Sequence, residues 1–410
     1  MNSPAKPPMK TTQETLAFLM EHAKRCASSQ QLPTQQALGH ILAEDLVSAV
    51  NVPTQDNSQM DGYAVRVADV QDELILPISQ RIPAGHPGHP LAIGTVARIF
   101  TGAVIPEGAD AVVMQEDCEV MGEGVRIKVK PKVGDYIRRQ GEDLQIDRIA
   151  LQSGTRLDAQ HLGVAAAMGL THLPVFRKVR VAAFFTGDEL VMPGQSLQPG
   201  GIYNSNRDTL LALIRSFGCE ATDLGIVPDS LEATRQTLRH AAQDHDLIVT
   251  SGGVSVGEED HIKPAVEAEG QLNLWQIAMK PGKPFAFGQV QRRGQDGHAW
   301  FMGLPGNPVA SFVTFLIFAR PFIHGLQGRT PTPLRSYVLR ADFDWPRPDR
   351  RNEFLRVKVN EQGGLDLFPN QSSGVLTGAA WADGLLDNPP EQVIQRGDMV
   401  KYIPYSSFFN

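Results

Sequence analysis

The stretch DLIVTSGGVSVG, residues 246–257, joins a run of apolar residues directly to a glycine-rich loop. The consecutive apolar residues Leu247–Val249 predict a strand that is buried on both faces, as in a parallel sheet. Gly252 and Gly253 have no Cβ, so the backbone that follows the strand can approach a ligand closely. Successive N–H groups in such a loop can cradle a phosphate. The stretch therefore predicts an α/β domain that handles a phosphate-bearing small molecule.

The sequence around this stretch alternates between predicted strands and helices. Asn206 is predicted to cap one helix and Gly218 to end it. Asp229 and Glu232 predict a capping box on the next helix. Alternation with nearly continuous apolar strands predicts a parallel sheet covered on both faces, and we assign this domain to residues 178–328. The predicted strands are 178–185, 220–227, 246–250 and 300–303, and the predicted helices are 209–217, 230–242 and 309–318.

The composition is that of a globular protein, with 42% hydrophobic and 20% charged residues in a chain of 410. The net charge of -7 argues against nucleic acid as the main partner, because a phosphate backbone attracts a basic surface. The widely spaced Cys26, Cys118 and Cys219 disfavour a disulfide framework or zinc site and favour a reducing compartment. The polar first ten residues do not resemble a signal peptide, and the longest apolar run, 310–319, is too short for a membrane span. We expect a cytoplasmic protein with no membrane partner.

The remaining sequence predicts a multidomain α/β protein. An N-terminal elongated α+β domain is expected from residues 1–53 and 144–177, beginning with an amphipathic helix at 15–27. Residues 54–143 are rich in glycine and proline with short alternating strands, which predicts a small inserted β domain. A second β region, residues 329–410, is predicted to form a small C-terminal β-barrel domain.

The candidate site lies in loops at the predicted carboxyl ends of the strands, where open α/β sheets bind their ligands. Lys280 and Lys283, on a further segment, would neutralise anionic oxygens. Glu189, Asp229 and Asp260 supply hard oxygen ligands that suit Mg²⁺ together with substrate phosphates. The two serines of the glycine-rich loop would add hydroxyl donors. The residues expected to bind substrate in these loops are Thr250, Ser251, Gly252, Gly253, Ser255, Gly257, Pro305, Gly306, Asn307 and Pro308.

Each candidate residue also has a purely structural interpretation. Asp229 could only cap its helix, and Asp260 could pair with Lys263. The lysines could be solvated, the two glycines could form a plain turn, and Glu189 could be an acid of a first helical turn. Convergence of all the loops at one edge of one sheet favours the functional interpretation.

The sequence Gly253–Gly257 matches G-x-S-x-G, the nucleophile elbow of many hydrolases. However, the strand is predicted to end at Thr250, which leaves two loop residues before the motif. His261, His298 and His324 follow in no recognisable triad context. A hydrolase is therefore disfavoured, and Ser255 is interpreted as a ligand-positioning residue. The phosphate-loop and dinucleotide-binding glycine motifs are absent from the sequence.

Several motifs in sequence order resemble the molybdopterin molybdenumtransferase family, the MoeA and gephyrin E-domain type. The resemblance extends over about residues 12–405. Three of its motifs are polar clusters of the N-terminal half, each of which alone is more often a turn than a site. The motifs are SQMDGYA (58–64), TG (101–102), EGADAVV (107–113), IRRQGED (137–143), TGDEL (186–190), TSGGVSVG (250–257), KPGKP (280–284) and GLPGNP (303–308).

The resemblance implies that molybdate is inserted into adenylylated molybdopterin, with Mg²⁺-dependent release of AMP and formation of the molybdenum cofactor. It implies a MogA-like central domain that binds molybdopterin, and metal-side roles for Asp229, Asp260 and Glu189. It also implies an upstream molybdopterin adenylyltransferase as a partner. A non-catalytic molybdopterin-binding scaffold of the same fold is the alternative, and preference for tungstate over molybdate stays open.

The resemblance also implies a homodimer with shared active sites. Asp61, Thr101 and Asp143 of one subunit would reach the central domain of the other. Arg356 and Ser373 would contact molybdate from the C-terminal domain. The sequence departs from the family pattern at Phe185, at Asn204–Asn206 and at Leu385–Pro390.

Overall fold

The computed structural model describes residues 9–254 and 261–409. Its first helix, α1 (Thr12–His22), begins three residues before the predicted start, because Thr11 and Glu14 form a capping box. The Thr11 hydroxyl accepts from the Glu14 N–H at 3.1 Å, and the Glu14 carboxylate accepts from the Thr11 N–H at 2.8 Å. Leu19 of α1 is fully buried in the apolar core of the central domain.

The N-terminal half consists of short strand pairs and an inserted sheet. Strand β1 pairs with β12 and β2 with β11, so the two ends of this half are held together antiparallel. The inserted sheet has the order β7-β4-β6-β5-β9-β8 among the described residues. The elements are β1 (Ser29–Pro33), β2 (Leu46–Val47), β3 (Asn57–Ser58), β4 (Gly62–Val65), β5 (Ile75–Ile82), β6 (Val96–Ile99), β7 (Ala111–Met114), β8 (Cys118–Met121), β9 (Gly124–Ile127), β10 (Ile137–Arg138), β11 (Ile149–Leu151), α2 (Ala159–Ala167) and β12 (His172–Phe176), with 3₁₀ turns at Thr34–Gln36, Val67–Asp69 and Gln115–Asp117.

The central domain is a sheet with the strand order β16-β13-β17-β21-β20-β18 over the described residues. The apolar strands β13 and β17 lie in its middle with helices on both faces. The elements are β13 (Arg180–Thr186), β14 (Leu190–Val191), β15 (Ile202–Tyr203), α3 (Ser205–Ser216), β16 (Glu220–Val227), α4 (Leu231–Asp244), β17 (Leu247–Ser251), α5 (Ile262–Glu269), β18 (Gly270–Gln276), β19 (Met279–Lys280), β20 (Pro284–Gln291), β21 (His298–Leu304), α6 (Pro308–Thr314), a π-helical turn at Phe315–Ala319 and α7 (Arg320–Leu326).

The predicted parallel pairing is confirmed for the four predicted strands, and the described sheet has two further strands, β18 and β20, that were not predicted. β16, β13, β17 and β21 are parallel, whereas β20 pairs antiparallel with both β21 and β18. The physical reason is the length of the connections. Residues 277–283 and 292–297 are too few for the crossover of a dozen or more residues that parallel pairing requires.

Two predicted helix caps are wrong by one or two residues. Asn204, not Asn206, caps α3 by accepting from the Arg207 N–H at 3.1 Å. Ser230, not Asp229, caps α4, because its hydroxyl accepts from the Ala233 N–H at 3.3 Å. Neither Asn206 nor Asp229 is therefore the N-cap of its helix.

The C-terminal domain is a small barrel. Its strand order is β19-β23-β25-β26-β22, and β24 pairs with β23. A bridge between Ala341, which directly follows β22, and Leu365 of β24 closes this path. The predicted hairpin around Gly363 is confirmed by the antiparallel pairing of β23 with β24. The elements are β22 (Tyr337–Arg340), β23 (Asn352–Val359), β24 (Leu365–Leu367), α8 (Leu376–Trp381), β25 (Gly384–Asn388), β26 (Met399–Pro404) and α9 (Ser406–Phe409).

Candidate active site

A cleft of about 710 Å³ lies where β13, β17 and β21 end side by side. The parallel register places Phe185 beside Ser251 and Ser251 beside Leu304, so the loops that follow these strands meet at one edge. The β19 segment and one loop of the C-terminal barrel form the other walls. The cleft is lined by Thr186, Glu189, Leu190, Ile202, Asn204, Asn206, Ser251, Gly252, Lys280, Pro281, Gly282, Lys283, Pro284, Pro305, Gly306, Asn307, Pro308, Ala310, Arg351, Gln371, Ser372 and Ser373.

Gly252 is required by the geometry of the cleft floor. Its φ is +99°, a conformation that residues with a Cβ rarely adopt, and a Cβ would lie 2.7 Å from the Thr186 carbonyl oxygen. The backbone of the glycine-rich loop is thus in close contact with the end of β13. Gly253 has a φ of +63°, whereas the Thr250 side chain is fully buried and lies below the cleft surface.

The hydroxyl of Ser251 is occupied by internal hydrogen bonds. It donates to the Pro305 carbonyl at 2.9 Å and accepts from Asn206 Nδ2 at 2.8 Å and from the Ser311 hydroxyl at 3.4 Å. One donor and two acceptor sites are the full capacity of a hydroxyl. The Ser251 hydroxyl therefore joins the loops together in this structure, and its predicted role as a hydroxyl donor to the ligand stays a prediction.

Lys280 is held by carboxylates of the C-terminal domain. Its Nζ lies 3.1 Å from Glu353 Oε1 and 3.6 Å from Asp349 Oδ2. Hydrogen bonds from Arg351 hold the pKa of Asp349 well below its ordinary range, so this carboxylate is charged. The Lys280 side chain lines the cleft, but its charge is already largely balanced.

Lys283 has no ion-pair or hydrogen-bond partner for its ammonium among the described residues. Its side chain is exposed and lines the cleft three residues beyond Lys280. It is therefore the cation of this cleft best able to attract an anionic ligand.

Of the two predicted metal-side acids within the described residues, Glu189 lines the cleft and Asp229 does not. Glu189 is exposed at its edge, and Asp229 follows the neighbouring strand β16 without lining it. Asp260, together with Ser255 and Gly257, lies outside the described residues. In residues 9–254 and 261–409, no three His, Cys, Asp or Glu side chains are grouped closely enough to hold a metal ion by themselves.

Arg356 does not reach the cleft. It is 1% exposed, and its Nη2 donates to the carbonyl oxygens of Asn370 and Ser372, each at 3.0 Å. Burial lowers the pKa of Arg356 to about 10. Its guanidinium thus supports the loop that carries Ser373 into the cleft, and the Ser373 carbonyl accepts from the Val309 N–H at 2.9 Å.

The three polar motifs of the N-terminal half are brought together, but away from this cleft in the same chain. Asp61 Oδ1 accepts from the Thr101 N–H at 2.8 Å and from its hydroxyl at 2.9 Å. The hydrogen bond from that N–H lowers the pKa of Asp61. Pairing of β3 with β10 brings the third motif against the residues before Asp61, because Arg139 Nη1 donates to Asp56 Oδ2 at 2.7 Å, whereas the Asp143 N–H donates to the Val52 carbonyl at 3.0 Å. The side chains of Asp61, Thr101 and Asp143 are all exposed.

Sequence reasoning missed Asn204, Asn206, Arg351 and Gln371 as cleft residues. Asn206 Nδ2 donates to Ser251 Oγ and, at 2.7 Å, to the Gly306 carbonyl, so it connects the first turn of α3 to two glycine loops. The signal was the Asn204–Asn206 segment, which was interpreted as a helix cap at Asn206 and as a departure from the family pattern. The predicted residues Pro305, Gly306, Asn307 and Pro308 all line the cleft.

One helical stretch of the described chain, Pro308–Leu326, is long and apolar enough to cross a membrane, with a mean hydropathy of 1.6. However, 78% of it is buried inside the protein. Its apolar residues pack into the core of the central domain beneath the cleft.

Comparison with known proteins accounts for nearly the whole chain. Residues 10–169 match the MoeA N-terminal region (domain I and II), residues 182–325 match a probable molybdopterin binding domain, and residues 338–405 match the MoeA C-terminal region (domain IV). A molybdopterin molybdenumtransferase of Haemophilus influenzae is 42% identical over 366 residues, covering 88% of this chain and 89% of the relative. The molybdopterin molybdenumtransferase 2 of Mycobacterium tuberculosis is 36% identical over 400 residues, covering 94% of this chain and 96% of the relative.

Solved structures agree over the full length. A molybdopterin biosynthesis MoeA protein from Pyrococcus horikoshii superposes with a TM-score of 0.84 at 25% identity, covering 97% of this chain and all of that one. The order of the matched regions and the MoeA-type architecture define a multidomain protein built around a MogA-like α/β domain. The chain belongs to the molybdopterin molybdenumtransferase family.

Proposed function

We propose that this chain inserts molybdate into adenylylated molybdopterin and releases AMP, giving the molybdenum cofactor. The observation that carries the proposal is the cleft itself. Three features meet outside the carboxyl ends of three parallel strands. They are a glycine loop whose backbone contacts the end of β13, Lys283, whose ammonium has no partner among the described residues, and a wall of the C-terminal domain that carries Arg351 and Ser373. This arrangement suits a ligand with phosphates at one end and an oxyanion at the other.

The phosphates of the ligand would lie against the glycine loop and Lys283. The Lys283 ammonium, which has no partner in residues 9–254 and 261–409, would neutralise phosphate charge, while Gly252 leaves room for an approach to the backbone. Molybdate, as the second substrate, would enter on the side of Lys280, Arg351 and Ser373. Arg356 would act there indirectly, by fixing the loop of Ser373.

A magnesium ion fits this cleft when substrate phosphates complete its coordination. Mg²⁺ typically takes one or two protein carboxylates plus phosphate oxygens, and Glu189 is the carboxylate that lines the described part of the cleft. Asp229 and Asp260 stay predicted as further metal-side acids. The ion would supply charge neutralisation at the phosphate oxygens.

The Asp61–Thr101 group would complete the active site from a second subunit. Within one chain this group contributes nothing to the cleft lining, although its carboxylate is held ionised by the Thr101 N–H. A homodimer with shared sites, to which Asp143 would also contribute, accounts for this separation. An upstream molybdopterin adenylyltransferase in the cytoplasm would supply the substrate.

Molybdate-stimulated release of AMP tests the proposal. Purified protein is incubated with adenylylated molybdopterin and Mg²⁺, with and without molybdate, and AMP is quantified. We expect release that depends on molybdate and is lost in the Glu189→Gln variant. Tight binding of the ligand without any release of AMP would instead support the non-catalytic scaffold.

A further inference from the structure

Two neighbouring side-chain amides in the cleft wall each keep one polar atom without a partner. Asn204 is 1% exposed, and its Nδ2 is buried with no hydrogen-bond partner among the described residues. Asn206 Oδ1 is buried and without a partner in the same way. Buried polar atoms are nearly always paired in native proteins, so two such atoms in one binding cleft need an explanation.

The orientation of each amide is fixed by its remaining contacts. Asn204 Oδ1 accepts from the Arg207 N–H at the start of α3, which leaves Nδ2 with its two donor hydrogens. Asn206 Nδ2 uses both hydrogens, one on the Ser251 hydroxyl, whose own proton goes to Pro305, and one on the Gly306 carbonyl. Exchanging oxygen and nitrogen in either amide would break these bonds. The unpaired atoms are therefore one donor, on Asn204, and one acceptor, on Asn206.

A neutral donor and a neutral acceptor suit a neutral, hydrogen-bonding edge better than a phosphate. The charged end of a ligand is attracted to Lys283. A heterocyclic lactam presents a carbonyl oxygen next to a ring N–H, which complements the Asn204 donor and the Asn206 acceptor. Both residues line the cleft, but the two atoms are shielded from solvent, so a small adjustment of the wall must accompany binding.

We propose that Asn204 and Asn206 bind the lactam edge of the pterin ring, Asn204 Nδ2 donating to the ring carbonyl and Asn206 Oδ1 accepting from the ring N–H. This inference rests on the proposed function, because it assigns one part of that substrate to these residues. It places the pterin against the first turn of α3 and the phosphates against the 280–284 segment. The two asparagines are binding residues that determine specificity for the ring.

Binding of 6-hydroxymethylpterin and of inorganic pyrophosphate to the intact protein separates the two ends of the cleft. In Asn204→Ser the serine can still cap α3, but the Nδ2 donor is lost. We expect the affinity for the pterin to fall about tenfold, as for one hydrogen bond, with pyrophosphate binding unchanged. Lys283→Ala should show the opposite pattern. The 3-methyl derivative of the pterin, which lacks the ring N–H, should bind the parent protein about tenfold more weakly.

Unchanged pterin affinity in Asn204→Ser would overturn the proposal, since the amide would then be satisfied by water. An equal loss of pyrophosphate binding would overturn it as well, because the donor would then serve the phosphates. No binding of the pterin to the parent protein would also overturn it. These binding measurements involve neither AMP release nor molybdate. The assignment of the two asparagines can therefore fail while the proposed reaction still holds. The melting temperature of Asn204→Ser, expected to stay near that of the parent, checks that the cap is kept.

Discussion

The ammonium of Lys280 lies 3.1 Å from Oε1 of Glu353, a carboxylate whose side chain is completely buried. The two residues are also opposite one another in the parallel pairing of β19 with β23. Glu353 Oε2 accepts from Trp345 Nε1 at 2.8 Å. A backbone ladder and an ion pair thus join the cleft wall of the central domain to the C-terminal barrel.

Replacing the two members of this pair should have unequal costs. Lys280→Met leaves the buried Glu353 carboxylate without its cation and should lower the free energy of unfolding by about 3 kcal/mol or more. Glu353→Gln leaves Lys280 partly exposed and still near Asp349, so about 1–2 kcal/mol is expected. Urea denaturation of both variants measures the difference. A larger loss in Glu353→Gln would contradict this account of the pair.

Gly252→Ala should reduce AMP release much more than a matched glycine replacement. The added Cβ would lie 2.7 Å from the Thr186 carbonyl in the cleft floor, so the glycine loop must shift. Gly297 has nearly the same φ, +97°, but no atom within 4 Å of its Cβ position. Gly297→Ala therefore isolates the backbone strain, about 1 kcal/mol. We expect AMP release to fall at least about tenfold only in Gly252→Ala, consistent with a misplacement at the site. Equal AMP release by the two variants would contradict a role for the close approach of Gly252 to the Thr186 carbonyl.

Lys283→Ala should weaken pyrophosphate binding without affecting stability. Because its ammonium has no ion pair within the described residues, its removal leaves no buried charge unpaired. The affinity should fall about tenfold at low salt and less at high salt, since added ions screen the attraction. Isothermal titration calorimetry at two salt concentrations measures both effects. Lys130→Ala, an exposed lysine of the inserted domain, is the control and should bind normally.

Removal of Arg177 should make stability depend on pH through Asp246. Burial alone would raise the pKa of Asp246, but hydrogen bonds from Arg177 and the Arg180 N–H outweigh burial and lower it. In the parent protein the lowered pKa of Asp246 means that its ionised carboxylate stabilises the fold. This contribution is fully present above the unfolded pKa, about 3.9, and is lost as the pH falls through the folded pKa. In Arg177→Met the burial of Asp246 is opposed by the Arg180 N–H and by Arg292, 3.9 Å from Oδ1, but no longer by a close guanidinium pair, so the folded pKa should rise above the unfolded one. Acidification then protonates the Asp246 carboxylate and restores stability.

The expected loss in Arg177→Met is about 3 kcal/mol at neutral pH. The difference from the parent should narrow as the pH falls from about 7 towards the unfolded pKa of Asp246, about 3.9. Thermal unfolding across that range measures it, with Arg177→Lys as the control that keeps a cation. A difference that is independent of pH would show that Asp246 is not the responsible group.

The sequence predicted the four parallel strands of the central sheet well, because β13 and β17 each contain a continuous apolar run, Val181–Phe185 and Leu247–Val249. It could not predict which chain segments would meet across long distances. Lys280 and Glu353 are 73 residues apart, and Asn206 and Ser251 are 45 apart. Residue type alone predicted a lysine as a phosphate contact and a serine hydroxyl as a ligand donor. The tertiary contacts decide that the Lys280 charge and the Ser251 hydroxyl are engaged inside the protein.

The local sequence pattern likewise did not predict the antiparallel pairing of β20 or the role of Arg356. Short connections on either side of β20 decide its direction, although its alternation of residues resembles that of its neighbours. The sequence does not distinguish a buried arginine from an exposed one. Only the folded barrel shows that Arg356 donates to the Ser372 carbonyl.

The central claim is that AMP release and molybdate insertion are coupled in this cleft. The most direct measurement quantifies AMP and newly formed molybdenum cofactor in the same reaction, with adenylylated molybdopterin, Mg²⁺ and limiting molybdate. We predict equal amounts of the two products, with both lost together in Glu189→Gln. AMP released at the same rate without molybdate, or cofactor formed without AMP, would contradict the claim.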